Sequence, residues 1–216
     1  MIKVLIVDDH ALIQKGLSKL LETDSSIKVM GVAASGEQAI RLVREQQPDV
    51  ILMDIHMPGM GGLGATRRIH HLNSHIKILV LTAYEQDPFP AQLLQAGAQG
   101  YLTKGCNAEE IVRAIHSVYS GQNYLSHNIA NRLALKNSND ATSSPFDNLS
   151  NRELEILLMI VHGEQPKKIA TQLCLSIKTI HSYRYRLFSK LNVKTDVELT
   201  RLALQYGILT DDKINL

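Results

Sequence analysis

The sequence predicts two folds in series: an α/β domain with a doubly wound, five-stranded parallel sheet, then a small all-α helix-turn-helix domain. Three observations carry this. Continuous apolar runs recur in the first half with helical patterns between them, the later pattern is of helices alone, and positive charge gathers in the last third. At 216 residues there is room for one large domain or two small ones, each with a core. Hydrophobic content of 44% and charged content of 20% are ordinary for a globular chain. No apolar run approaches the ~20 residues a membrane-spanning helix needs, so no membrane partner is expected. The opening MIKVLIVDDH sets two aspartates straight after a short apolar run, unlike a secretory leader. The two cysteines, Cys106 and Cys174, are too few for a disulfide scaffold and lack metal-site spacing. A reducing, cytoplasmic setting is expected.

The strands are read from Val4-Leu5-Ile6-Val7, Val29 to Ala34, Val50-Ile51-Leu52-Met53 and Ile78-Leu79-Val80-Leu81, with Tyr101-Leu102 a shorter fifth. Unbroken rather than alternating apolarity is what a strand covered on both faces requires. Leu12, Leu17, Leu20 and Leu21 supply the inward stripe of the first helix. This domain is expected over residues 1–120, where 11 Lys+Arg face 12 Asp+Glu.

In such sheets ligands bind outside the carboxyl ends of the strands. Here the first strand ends in Asp8-Asp9, the third in Asp54, the fourth in Thr82 and the fifth in Lys104. Three carboxylates together repel one another unless a cation compensates. A hard cation with oxygen ligands, magnesium above all, does so while keeping several waters. Lys104 and Thr82 suit phosphoryl oxygens, and an aspartate can act as nucleophile to form an aspartyl phosphate. Phosphoryl transfer asks mainly for positioning and charge neutralisation. Each residue alone has a plain structural explanation; all five at the strand ends in this order point to a phospho-acceptor.

VDDH at 7–10, MDIHMPGMGG at 53–62, LTA at 81–83 and YLTKG at 101–105 resemble the receiver domain of two-component response regulators, a flavodoxin-like fold. The resemblance implies that Asp54 is phosphorylated by a sensor histidine kinase or its phosphotransfer domain. It implies that Asp9 and Asp54 ligate Mg2+, that Asp8 acts through the metal's water, and that the His56 carbonyl completes the protein ligands. Thr82 and Tyr101 match the switch pair, and Lys104 matches the lysine that contacts the phosphoryl group. Positions 56 and 84, here His56 and Tyr84, influence phosphoryl lifetime in the family. The His56 ring is read as a loop side chain at the mouth of the site. His70, His71 and His75 suggest a metal cluster, but neighbouring residues do not share a helix face, and an exposed surface is favoured.

Residues 121–148 read as a linker: Ile129, Leu133 and Leu135 fit one short helix, and KNSNDATSSP is polar and rich in breakers. Helices resume over 149–216, where 10 Lys+Arg face 7 Asp+Glu. Ser150 and Glu153 make a capping-box pattern, Gly163 ends that helix and Pro166 opens the next. A tight turn at Cys174-Leu175 leads to Ser176, which caps a third helix running to about Leu191. A fourth starts at Thr195 or Asp196 and carries Val197, Leu199, Leu202, Ala203 and Tyr206. It is read as a dimer contact or as simple core.

Between Gln165 and Thr195 stand seven basic residues and no acidic one, which suggests a polyanion partner. On the third helix Lys178, His181, Ser182 and Tyr185 follow i, i+3, i+4, i+7 spacing and share one face, suited to a DNA major groove. Thr179, Arg184, Arg186 and Lys190 flank it as further DNA contacts, the basic ones to phosphates. Ile177, Ile180, Leu187 and Leu191 are expected to face inward.

LSNRELEILLMIVHGEQPKKIATQLCLSIKTIHSYRYRLFSKLNV resembles the LuxR-type output domain, which makes the chain similar to regulators of the NarL/FixJ class. Tyr183 stands where that class more often has histidine, and SIKTIHSYRYRLFSKLNV is similar to the GacA/UvrY/LetA group. That resemblance implies a hybrid sensor kinase as partner, promoters of small regulatory RNAs as targets, and a homodimer in the active form. It also implies that phosphorylation releases the basic helix from occlusion. Two rivals stand beside this reading. An aspartyl-phosphate phosphohydrolase, an enzyme, would pair its nucleophile with a second acid two residues on, where this chain has His56. A constitutive DNA-binding protein would use the first domain only for docking.

Overall fold

Leucine- and valine-rich runs without polar alternation are stable as strands only when helices cover both sides. The computed structural model describes residues 1–82, 90–126, 129–131, 144–206 and 208, and in it both sides are covered. Strands β1 (Ile2–Val7), β2 (Ile27–Ala33), β3 (Val50–Asp54), β4 (Lys77–Thr82), β5 (Gly100–Thr103) and β6 (Tyr124–Leu125) form one sheet in the order β2-β1-β3-β4-β5-β6. Every pairing is parallel. Helices α1 (Ala11–Leu21), α2 (Gly36–Gln46), α3 (Gly61–Leu72), α4 (Pro90–Gln95) and α5 (Ala108–Tyr119) alternate with the strands. Successive strand residues point to opposite faces. Val4, Ile6, Val50 and Leu52 therefore join Leu21 of α1 and Ile111, Ile115 and Val118 of α5 in one apolar cluster. Leu5, Val7, Ile51 and Met53 join Val43 of α2, Leu63 and Ile69 of α3 and Leu93 of α4 in the other.

The sheet has six strands where five were expected. The sixth lies inside the stretch read as linker: Gly121 turns the chain with φ +89° after α5, and Tyr124–Leu125 then pairs with Gly100–Tyr101. The exposed edge of β5 supplies the missing hydrogen-bond partners, which a two-residue apolar pattern does not advertise. Leu12, expected to face inward, is 83% exposed, and Leu21 is the buried residue of α1. Of the expected short helix after it, Ile129 is buried and residues 129–131 are helical, while Leu133 and Leu135 lie outside the described residues.

The C-terminal helices are α6 (Asn151–Val161), α7 (Pro166–Gln172), α8 (Ile177–Leu191) and α9 (Asp196–Gln205). Their ends follow the signals in the sequence. The Ser150 hydroxyl accepts the Glu153 N–H at 3.3 Å, and the Glu153 carboxylate accepts the Ser150 N–H at 2.8 Å, closing the capping box. Pro166 is the first residue of α7, and Cys174 takes φ +53° in the turn to α8. Ser176 caps α8 through the Thr179 N–H at 3.1 Å, and Thr195 caps α9 through the Glu198 N–H at 3.1 Å. Ile180, Leu187 and Leu191 are buried as expected, whereas Ile177 is exposed. On α9, Leu199 and Ala203 are core while Val197 points outward. Phe146 meets the Tyr206 ring edge-on at 5.6 Å, tying the entry of this domain to its last helix.

The two domains dock through α3 and α6. Glu155, 1% exposed, accepts from Arg152 on its own helix at 2.7 Å and from Arg67 of α3. Its carboxylate lies against Gly64, where a Cβ would come 2.5 Å from Oε1, so a side chain at residue 64 would force the carboxylate to shift. Arg68 adds a hydrogen bond to the Gln172 carbonyl at 2.9 Å. Removing one member of a buried ion pair strands the other charges and costs about 3 kcal/mol or more. Glu155→Ala is thus expected to lose about 3 kcal/mol in urea denaturation followed by circular dichroism. A double-mutant cycle with Arg67→Ala should show strong coupling, and additive losses would mean that the pair does not hold the domains together.

Candidate functional site

The acidic residues converge because each ends a strand at the same edge of the sheet. The Asp8 N–H donates to the Ala33 carbonyl at 3.0 Å, closing the β1–β2 ladder, and Asp54 is the last residue of β3. Gly62 lets α3 begin hard against β3: its N–H donates to the Ile55 carbonyl at 2.9 Å, and a Cβ there would lie 2.0 Å from the Asp54 carbonyl oxygen. Asp8 and Asp54 are buried and Asp9 is half-buried. Lys104, following β5, brings Nζ to 2.5 Å from Asp8 Oδ2 and 3.1 Å from Asp54 Oδ2. The Lys104 N–H donates to the Thr82 carbonyl at 2.6 Å, which sets β5's exit beside the end of β4. Thr82 and Tyr101 are both fully buried.

Lys104 carries the electrostatic balance of the site. Burial works against its charge, but the Asp54 and Asp8 carboxylates outweigh that, and the ammonium is held above the ordinary lysine range. One ammonium against three carboxylates leaves an excess of negative charge. Ligand atoms of Asp8, Asp9, His10 and Asp54 lie within 4.8 Å of one another, the one group of potential metal-binding side chains among the described residues. The three carboxylates are hard oxygen donors and fit a magnesium-sized cation.

His10 was not singled out in the sequence, although it directly follows the aspartate pair. Its Nδ1 lies 3.0 Å from Asp9 Oδ1 and 3.3 Å from Asp8 Oδ1. His56 is a loop residue as expected, but it is buried, as are its neighbours Ile55 and Met57, rather than open at the mouth; its N–H donates to Asp54 Oδ1 at 3.4 Å. Tyr84 lies outside the described residues. Of the three histidines that suggest a metal cluster, His71 and His75 are exposed as expected. His70 is half-buried, its ring filling the space that a Cβ on Gly97 would take.

On α8, Lys178, His181, Ser182, Tyr185 and Arg186 are exposed, with Tyr185 at 82%. Among the described residues this face stands open with α3 and α6 docked, and the expected masking is not seen in this arrangement. Thr179 is half-buried with its hydroxyl 2.8 Å from Ser176 Oγ. The basic residues divide. Arg184 turns to Asp196 of α9, with Nε at 2.7 Å and Nη2 at 2.5 Å from its two oxygens, and lies over the Phe188 ring. Lys190 reaches the capping box, 2.7 Å from Glu153 Oε2. Burial acts to raise the Glu153 pKa, but Lys190 and Ser150 outweigh it and hold the carboxyl below its usual range. Arg186 instead rests over the Tyr183 ring at 5.1 Å on the exposed side.

A sheet with an acidic cluster at its strand ends, docked to a helix-turn-helix, defines a class of two-domain regulators. Family models agree on both halves: residues 4–116 match the response regulator receiver domain, and residues 147–203 match the bacterial regulatory proteins of the luxR family. The chain belongs to the response regulators that join a receiver to a LuxR-type output domain, a family of regulators and not of metabolic enzymes. It is 49% identical over 216 residues to the response regulator UvrY of Escherichia coli, covering 100% of this chain and 99% of that one. It is also 49% identical over 210 residues to GacA of Pseudomonas aeruginosa, covering 97% and 98%. Among solved structures, the response regulator RcsB in complex with DNA matches at a TM-score of 0.72 and 25% identity, covering 93% of this chain and 97% of that one.

Replacing Lys104 by Met leaves the buried Asp8 carboxylate without its cation, and is expected to cost about 3 kcal/mol in urea denaturation. The folded-state pKa of Lys104 is raised, so its contribution is fully present below the free-lysine value of 10.5 and is lost only as pH rises through the folded value. The deficit should therefore be equal at about pH 6 and pH 9. A deficit that vanished between them would show that another group sets it.

Proposed function

We propose that this protein is a phosphorylation-switched transcription factor of a two-component system, with Asp54 as the phospho-acceptor. The observation that carries this is the Lys104 ammonium set between the Asp8 and Asp54 carboxylates at the strand ends. Asp54 attacks the phosphorus of a phosphohistidine on a sensor kinase or its phosphotransfer domain. A P–O bond forms, the P–N bond breaks, and the imidazole leaves with the electron pair. Asp8, Asp9, Asp54 and the His56 carbonyl would hold magnesium, which when bound neutralises the carboxylates and one phosphoryl oxygen. Lys104 then turns from carboxylate to phosphoryl group, Thr82 offers its hydroxyl, and Tyr101 follows in the core behind it.

Residues 1–120 with the strand Tyr124–Leu125 form the receiver, the rest of 121–148 the connector and 149–216 the DNA-binding domain, working in the cytoplasm. Lys178, Thr179, His181, Ser182, Tyr185 and Arg186 contact double-stranded DNA. Arg184 and Lys190, tied to Asp196 and Glu153, brace the helix and reach phosphates only by leaving those partners. Because the α8 face already stands open, phosphorylation acts on the pairing of two copies at adjacent half-sites rather than by uncovering the helix. The resemblance to the response regulators UvrY and GacA supports the assignment; promoters of small regulatory RNAs are the target class proposed with it.

Acetyl phosphate with magnesium should add one phosphoryl group to the wild type and none to Asp54→Ala, read by intact mass. Absence of an adduct, with beryllofluoride also failing to bind, would leave the receiver as a docking module. For the DNA face, Arg186→Ala should weaken binding to all sequences alike and reduce the salt slope by about one unit. Arg184→Ala should lower thermal stability and leave that slope unchanged; the reverse pattern would exchange their roles.

A further inference from the structure

Gln14 lies in the first turns of α1, and nothing in the sequence separates it from an ordinary solvated helix residue. In the structure its side-chain nitrogen donates to two main-chain carbonyls at once, that of Asp8 at 2.6 Å and that of Ala33 at 3.0 Å. These carbonyls stand where β1 and β2 end, that of Ala33 also accepting the last rung of the ladder from the Asp8 N–H. A carboxamide NH2 has two N–H donors in one plane and can serve both.

Asp8 is thereby held at four points. Its N–H is fixed by the Ala33 carbonyl, its Oδ1 by the His10 N–H at 2.8 Å, and its Oδ2 by Lys104. The fourth is its carbonyl, and this one depends on Gln14. The Asp8 carbonyl belongs to the peptide that joins Asp8 to Asp9. Fixing that plane fixes the direction in which Asp9 leaves the sheet and presents its carboxylate. Gln14 makes no hydrogen bond to a carboxylate in the cluster, so its effect travels through the backbone.

We infer that Gln14 is a positioning residue of the acidic site: its carboxamide locks the Asp8–Asp9 peptide to the end of β2 and so sets the geometry in which Asp9 meets a divalent cation. This rests on the reading of Asp8, Asp9 and Asp54 as a cation-binding set. Magnesium is the demanding probe, since it requires near-ideal octahedral geometry, whereas calcium accepts flexible arrangements. Loss of a residue that orients a metal ligand commonly weakens affinity by 10–100-fold.

The test is calorimetric titration of the full-length protein with Mg2+ and, separately, with Ca2+, for wild type and Gln14→Leu. The magnesium Kd should rise about tenfold and the calcium Kd less than about threefold. A role confined to stability would leave that ratio unchanged, and Kd values that are unchanged or weakened equally for both ions would overturn the inference. Should Gln14→Leu fail to fold, Gln14→Ala is read by the same ratio. Wild type that takes up no magnesium would overturn the cation reading itself and this inference with it. Wild type that binds magnesium with Gln14→Leu its equal would overturn the inference alone.

Discussion

Three carboxylates at one edge of a sheet are tolerable only if positive charge is placed among them, and Lys104 supplies it. Its ammonium lies within hydrogen-bond distance of Asp8 and Asp54, two groups from strands that are neighbours in space but 46 residues apart in sequence. The rest of the domain serves this contact. The parallel order β1-β3-β4-β5 brings the strand ends together, Gly62 lets α3 leave β3 without disturbing Asp54, and the Thr82 carbonyl fixes the peptide from which Lys104 extends. A site arranged this way is poised for exchange: the lysine neutralises carboxylates until a better anion arrives.

Much of this was legible because strand ends are legible. An apolar run that stops at a charged or hydroxyl residue marks both the strand and its carboxyl end, and this places Asp8, Asp9, Asp54, Thr82 and Lys104 at one edge from the sequence alone. Helix caps read equally well, Ser150 with Glu153 and Pro166 being local signals that need no tertiary context. What escaped depends on distant partners. β6 exists because β5 has a free edge, and Leu12 is exposed because α1 turns its buried side toward Leu21 instead. Glu155 interrupts the apolar run of α6, a visible irregularity, but its partner Arg67 lies in the other domain. Arg184 and Lys190 looked like free cations until Asp196 and Glu153 proved to lie within reach.

The division among the basic residues of α8 separates two jobs that charge alone cannot distinguish. Arg184 ties α8 to α9, and Lys190 ties it to the start of α6, so the helix is held at both its middle and its end. The residues left outward, Lys178, His181, Ser182, Tyr185 and Arg186, then sit on a helix braced by those two ties. A rigid helix loses little entropy on meeting a rigid groove.

The seat of Glu155 on Gly64 bears on how such regulators can be recombined. Receivers and output domains look interchangeable, since each has its own family signature. Here the joint is keyed: the output domain brings a buried anion, and the receiver answers with an arginine and a bare α-carbon at one spot on α3. A foreign receiver with a side chain at the glycine position would push the anion away, and one without the arginine would strand it. These two domains are therefore matched parts, and a graft between relatives has to carry α3 and α6 across together.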